Sequence, residues 1–126
     1  MYIILYLHEL CSVMLCQADG SSLVLDDSRG IDILGNVMES CPLLSPHPEH
    51  YGSMHNLGHV AIALCHDPDN RHLETFGVMG DAATAMRDPV FYRWHGFIND
   101  IFIKHKDRLP RYTVPQVSCF VGHQIM

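Results

Sequence analysis

Apolar residues in this chain recur at helical spacing in three stretches, separated by polar and proline-rich punctuation. Ile31, Leu34, Val37 and Met38 fall at i, i+3, i+6 and i+7, which predicts a short amphipathic helix ending before Pro42. The segment 42–49, with three prolines, is expected to be a loop. A second helix is expected from about Ser53 to His66, with Leu57, Val60, Ala61 and Leu64 as its apolar stripe and His55 and His59 flanking that stripe on the inward side. Asp67-Pro68-Asp69-Asn70 stops it. One more helical turn is expected over Arg71 to Phe76, then a loop over 77–81 and a brief helix through Met86. Asp88-Pro89 marks the start of the third helix, because aspartate caps free N–H groups and proline at the first helical position forfeits no bond. Phe91, Trp94, His95, Ile98, Ile101, Phe102 and His105 keep one face of it. Lys104, Lys106 and Arg108 suit its carbonyl end, and Pro110 closes it.

The two ends carry weaker patterns. Residues 1–18 show helical spacing at Leu7, Leu10, Cys11 and Met14, yet their β-branched and aromatic start is equally compatible with a strand. Tyr2 to Leu7 is too short to span a bilayer, although a signal peptide cleaved near Ala18 is one reading of this end. Asp19 to Ser22 reads as a turn and Leu23 to Leu25 as a short extended piece, while 114–126 has no clear period. The pattern predicts one mainly α domain with irregular ends.

Composition narrows the function. The chain has 126 residues, 48% of them hydrophobic, and a net charge of -6, so it lacks the basic footprint of a nucleic-acid binder. Five cysteines, with no Cys-x-x-Cys pair, indicate mostly free thiols rather than a disulfide framework. Ten histidines point toward metal, although His47, His50 and His123 lie among polar or turn residues and read as solvated.

Three histidines carry the candidate chemistry. His55 and His59 are four apart in M-H-N-L-G-H-V, which places them on one helix face with Cβ atoms roughly 6 Å apart. His95, in F-Y-R-W-H on the last helix, is the candidate third ligand. Neutral imidazoles suit zinc, copper, iron and nickel alike. A glutamate after the first histidine would indicate a zinc protease, but Asn56 stands there and supplies no base. The competing reading is that His95, lying on an apolar stripe, is a hydrogen-bonded core residue. Gly58 costs about 1 kcal/mol in a helix interior relative to alanine, so close approach of a neighbouring helix or ligand is expected there.

The wording around these positions adds more than their spacing. H-N-L-G-H-V, H-D-P-D-N-R-H-L-E and F-G-V-M-G-D-A-A-T-A-M-R-D-P-V-F-Y-R-W-H together resemble the second copper site of the arthropod hemocyanin and prophenoloxidase family, the type 3 copper proteins. The resemblance runs from about Leu23 to Thr113, and G-V-M-G-D-A-A-T-A-M-R-D-P is similar to the insect prophenoloxidases rather than the oxygen carriers. It implies a partial helical bundle at 23–113, corresponding to part of the hemocyanin-type copper domain, between a divergent segment 1–22 and a divergent tail 114–126. It implies that His55, His59 and His95 hold one copper of a pair, that Asp81 accepts the phenol's proton, and that Asn56 helps hold water or substrate. The implied activity is hydroxylation of monophenols and oxidation of o-diphenols to quinones by dioxygen, in melanin formation and arthropod defence. The implied place is hemolymph, with no nucleic acid or membrane as partner. The alternative is a copper-binding or hemocyanin-like oxygen-carrying module.

Members of the family are several times longer and carry an N-terminal helical domain, a first copper site and a C-terminal β-sandwich, none of which is expected to fit in this chain. The family's first copper site has three histidines of its own, whereas only His8, His47 and His50 precede His55, none in an H-x-x-x-H arrangement. Two-electron reduction of dioxygen needs two one-electron copper ions, so the isolated chain is expected to be inactive. A partial gene model, a splice form or a fragment associating with full-length subunits through an exposed helix face is the expectation.

Overall fold

The computed structural model of the protein describes residues 14–39, 41, 43–115 and 117. The helix-or-strand reading of residues 1–13 and most of the tail from 118 onward lie outside the described residues. The chain first forms an antiparallel hairpin of β1 (Met14–Cys16) and β2 (Ser22–Val24), with Leu15 opposite Leu23. Its turn is closed by Asp19, whose carboxylate accepts from the N–H and the hydroxyl of Ser21. Leu15 and Leu25 are buried and anchor the hairpin on the helices.

Helix α1 (Gly30–Met38) follows a turn in which Asp26 accepts from the Ser28 and Arg29 N–H groups. Leu34, Val37 and Met38 are fully buried, as the stripe requires, but Ile31 is half exposed at the helix start. A short helix, α2 (Pro48–Tyr51), occupies part of the segment expected to be a loop. Proline at its first position is pre-set for a helical turn, a signal outweighed in the sequence by the neighbouring prolines. Tyr51 is buried, and its hydroxyl accepts from the Cys16 N–H at 2.7 Å, tying this turn to the hairpin.

Helices α3 (Met54–Leu64) and α4 (Pro89–Lys106) form the frame of the candidate site. Asp88 caps α4 by accepting from the Val90 N–H at 2.9 Å, and Pro89 sits at its first turn. The α4 stripe is inward, with Ile98, Ile101 and His105 buried and Trp94, Phe97 and Phe102 packed against the same core. Burial pushes the His105 imidazole below its usual range, and nearby Arg108 adds to the effect. About half of the described residues are helical, and the fold is mainly α.

The stripe expected to be the inward face of α3 is exposed instead: Leu57 by 59%, Val60 and Leu64 by 39% each. The helix packs through Met54, Gly58, Ile62 and Ala63, because Gly58 admits the Trp94 ring and the Ala63 carbonyl accepts the Gly77 N–H.

The helical turn expected over 71–76 is absent. Asn70 and Leu73 take left-handed φ values of 53° and 52°, and the Asp67 carboxylate collects the N–H groups of Arg71, His72 and Glu74. This side-chain bonding replaces the helical ladder. Arg71 pairs with Asp69 at the surface. The chain then forms two 3-10 turns, Val78–Gly80 where a loop was expected, and Ala85–Arg87.

Desolvation pushes the Asp67 carboxyl upward, but the N–H groups of Glu74, His72 and Arg71 together outweigh it and hold the group below its ordinary value. A lowered folded-state pKa stabilises the fold above the unfolded pKa of about 3.9, and this is lost as pH falls through the folded value. Asp67→Asn should therefore lower the urea midpoint at neutral pH, with the gap to the parent narrowing below about pH 4.

Candidate metal centre

Helix α3 carries His55 and His59 one turn apart, and α4 brings His95 across to them. All three are partly buried, and one nitrogen from each lies within 4.8 Å of the other two. The Nε2 atom of His95 is 2.9 Å from that of His55 and 3.4 Å from that of His59.

The Nδ1 atoms are all occupied elsewhere. His55 Nδ1 meets the Glu39 carboxylate at 2.7 Å, His59 Nδ1 the Met79 carbonyl at 2.7 Å, and His95 Nδ1 the Phe91 carbonyl at 2.8 Å. These oxygens can only accept, so each Nδ1 carries a proton and donates, and in the neutral imidazole every Nε2 then offers a lone pair. Three lone pairs aimed into one small space repel unless a cation lies between them. Nitrogens about 2.0–2.1 Å from a shared ion sit about 3.3–3.6 Å apart, so the observed arrangement needs only small adjustment to hold one. The residues fit a metal ion, and their all-imidazole donor set suits copper among others.

Two features fix the gap between the helices. The Trp94 ring lies directly on Gly58, where a β-carbon would come 2.1 Å from the indole, and its N–H donates to the His55 carbonyl at 3.2 Å. Trp94 also stacks on Phe97. It thus packs between the helices.

The carboxylate that reaches the histidines is Glu39, just past the end of α1 and sixteen residues before His55. No spacing rule in the sequence links the two, so pattern reading passed over it, as it did the Met79 and Phe91 carbonyls. Asp81 lies two residues after Met79 and is exposed; its carboxylate accepts from the Ala83 N–H at 2.9 Å, closing a local turn. Asn56 is exposed on α3 beside His55. His47 stacks on His50, away from the three-histidine group. Cys16, Cys41 and Cys65 are free thiols.

Fold and site together define a helical protein in which three histidines, placed so that they could hold a metal ion, gather between two helices. Residues 9–102 match the family described as "Hemocyanin, copper containing domain", and the chain belongs to that family. It is 53% identical over 108 residues to phenoloxidase subunit 1 of Manduca sexta, covering 86% of this chain and 16% of that protein. Against phenoloxidase 1 of Holotrichia diomphalia the identity is 59% over 103 residues, covering 81% and 15%. Among solved structures, a hemolymph-type prophenoloxidase from a crustacean superposes with TM-score 0.80 at 38% identity, covering 92% of this chain and 18% of that one. Scorpion hemocyanin gives 0.79 at 43%, covering 89% and 18%. The chain thus spans about a sixth of these phenoloxidases' length.

Proposed function

We propose that the chain is the one-copper part of a phenoloxidase-type oxidoreductase, with His55, His59 and His95 holding a single copper ion through Nε2. The observation that carries this is the convergence of three Nε2 lone pairs whose Nδ1 protons are all committed elsewhere. Copper, when bound, supplies one-electron redox chemistry toward phenols and dioxygen. The chain's own residues orient and buttress the ligands. Glu39 holds the His55 ring and strengthens it as a donor by drawing on its Nδ1 proton. Asn56 is assigned to holding water or substrate next to His55, and Asp81 to accepting the phenol's proton, both on the strength of the resemblance.

The identities of 53% and 59% to phenoloxidases support this reading. An oxygen carrier is the second reading, supported by scorpion hemocyanin, whose 43% identity exceeds the 38% of the crustacean prophenoloxidase among solved structures. The family resemblance supports a place in hemolymph, and no helix among the described residues is long and apolar enough to cross a membrane. The exposed Leu57, Val60 and Leu64 face supports association with longer chains of the family.

The test is dopamine oxidation by the copper-loaded chain, alone and mixed with a full-length phenoloxidase whose own second site has been disabled by substitution. No turnover alone and recovery in the mixture is expected; turnover by the chain alone would contradict the reading. Glu39→Gln keeps an acceptor near Nδ1 but removes its charge. It should weaken copper binding by about tenfold, at the lower end of the range for residues that orient a ligand, in competition titrations.

A further inference from the structure

We infer that Phe91 is a positioning residue for two of the three histidines, acting through its ring as well as its carbonyl. The inference rests on the reading that those histidines hold an ion. Phe91 lies one helical turn before His95 on α4. Its carbonyl accepts the His95 Nδ1 proton at 2.8 Å, and its ring lies against the His95 ring with centroids 3.9 Å apart and planes tilted by 33°. One residue thus holds the ligand at its edge and across its face.

The same ring approaches His59 edge-on, with centroids 6.0 Å apart at 69°. It is also packed against the small cluster of Ala63, Met79 and Ala85. Met79 is the residue whose carbonyl accepts from His59 Nδ1. Phe91 therefore touches one ligand directly, faces the edge of a second, and supports the residue that orients that second one. His55 is held by a different device, the Glu39 carboxylate. A hydrogen bond fixes the direction of one ring atom but leaves the imidazole free to rock about it, whereas a stacked face removes that freedom. The carbonyl survives any substitution at position 91, so the ring's contribution can be isolated.

The experiment compares Phe91→Leu, which keeps apolar volume without a ring, with Phe91→Tyr, which keeps the stack. In the metal-free protein, the His95 ring protons should be shifted upfield by the Phe91 ring current, a shift lost in the leucine variant and retained with tyrosine. Copper affinity should fall about tenfold in Phe91→Leu, within the range for residues that orient a ligand, and Phe91→Tyr should restore it. The Cu(II) electron paramagnetic resonance spectrum should broaden in the leucine variant, a change that a loss of global stability does not produce. A folded Phe91→Leu with parental affinity and an unchanged spectrum would overturn the inference. If the leucine variant does not fold, Phe91→Met takes its place, and an absence of upfield-shifted His95 protons in the parent overturns the inference by itself. A parent that binds no copper defeats the metal-site reading instead. Loss of binding in His59→Ala with none in Phe91→Leu leaves that reading standing and removes Phe91 from it.

Discussion

Replacing His95 by alanine is expected to abolish tight copper binding while leaving the metal-free chain folded. His95 is the ligand that α4 contributes, and its Nε2 atom is the one that approaches both others, at 2.9 and 3.4 Å. Without it, two imidazoles on a single helix remain. The affinity loss should exceed about 100-fold, the upper end of what removing a mere orienting partner does. Stability provides a second readout. An ion that binds only the folded state stabilises it by about 2.7 kcal/mol at one hundred times its dissociation constant, so the parent should gain that increment with copper and His95→Ala should not. In the metal-free state the substitution also removes a crowded lone pair, so its midpoint should lie close to the parent's. A His95→Ala chain that keeps copper-dependent stabilisation would show that the ion sits elsewhere.

The second large effect is expected from Gly58→Ala. Alanine is the better helix former by about 1 kcal/mol, so an exposed glycine in a helix interior would gain from this change. Here the added β-carbon would come 2.1 Å from the Trp94 ring, and that ring is stacked on Phe97 and bonded to the His55 carbonyl. Moving it forfeits a hydrogen bond and overpacks a well-filled contact, which together cost about 2–4 kcal/mol. The net destabilisation should be about 1–3 kcal/mol in denaturant unfolding. Copper affinity should fall as well, because the displaced indole forces α3 and α4 apart at the level of His55 and His95. Gly96, whose β-carbon would meet nothing within 4 Å, is the control: Gly96→Ala should be neutral or stabilising.

What could be read from the sequence was what repeats along one element. The Asp88-Pro89 start, the α4 stripe and the four-residue spacing of His55 and His59 are local, and the pattern gives them directly. The demand for close packing at Gly58 was also legible, since an uncompensated glycine in a helix asks for a neighbour. Contacts between elements were not. Leu57, Val60, Ala61 and Leu64 form the more hydrophobic face of α3, so pattern reading turned them inward; within this chain the packing partner lies on the glycine side. Arg71 to Phe76 had helical composition, but a single buried carboxylate, Asp67, took over the backbone donors that a helix would use. Glu39 had no motif to announce it, and Phe91 was legible only as a member of the α4 stripe, not as a residue that orients His95. Their roles arise from where the fold places α1 and from which way one ring faces.

Copper content per chain most directly tests the central claim that one ion sits among His55, His59 and His95. The purified parent chain would be loaded with excess copper, dialysed, and assayed for bound metal alongside the three single alanine variants. One copper per parent chain, lost in each variant, is the expected result. A folded parent that retains no copper, or variants that retain as much as the parent, would contradict it.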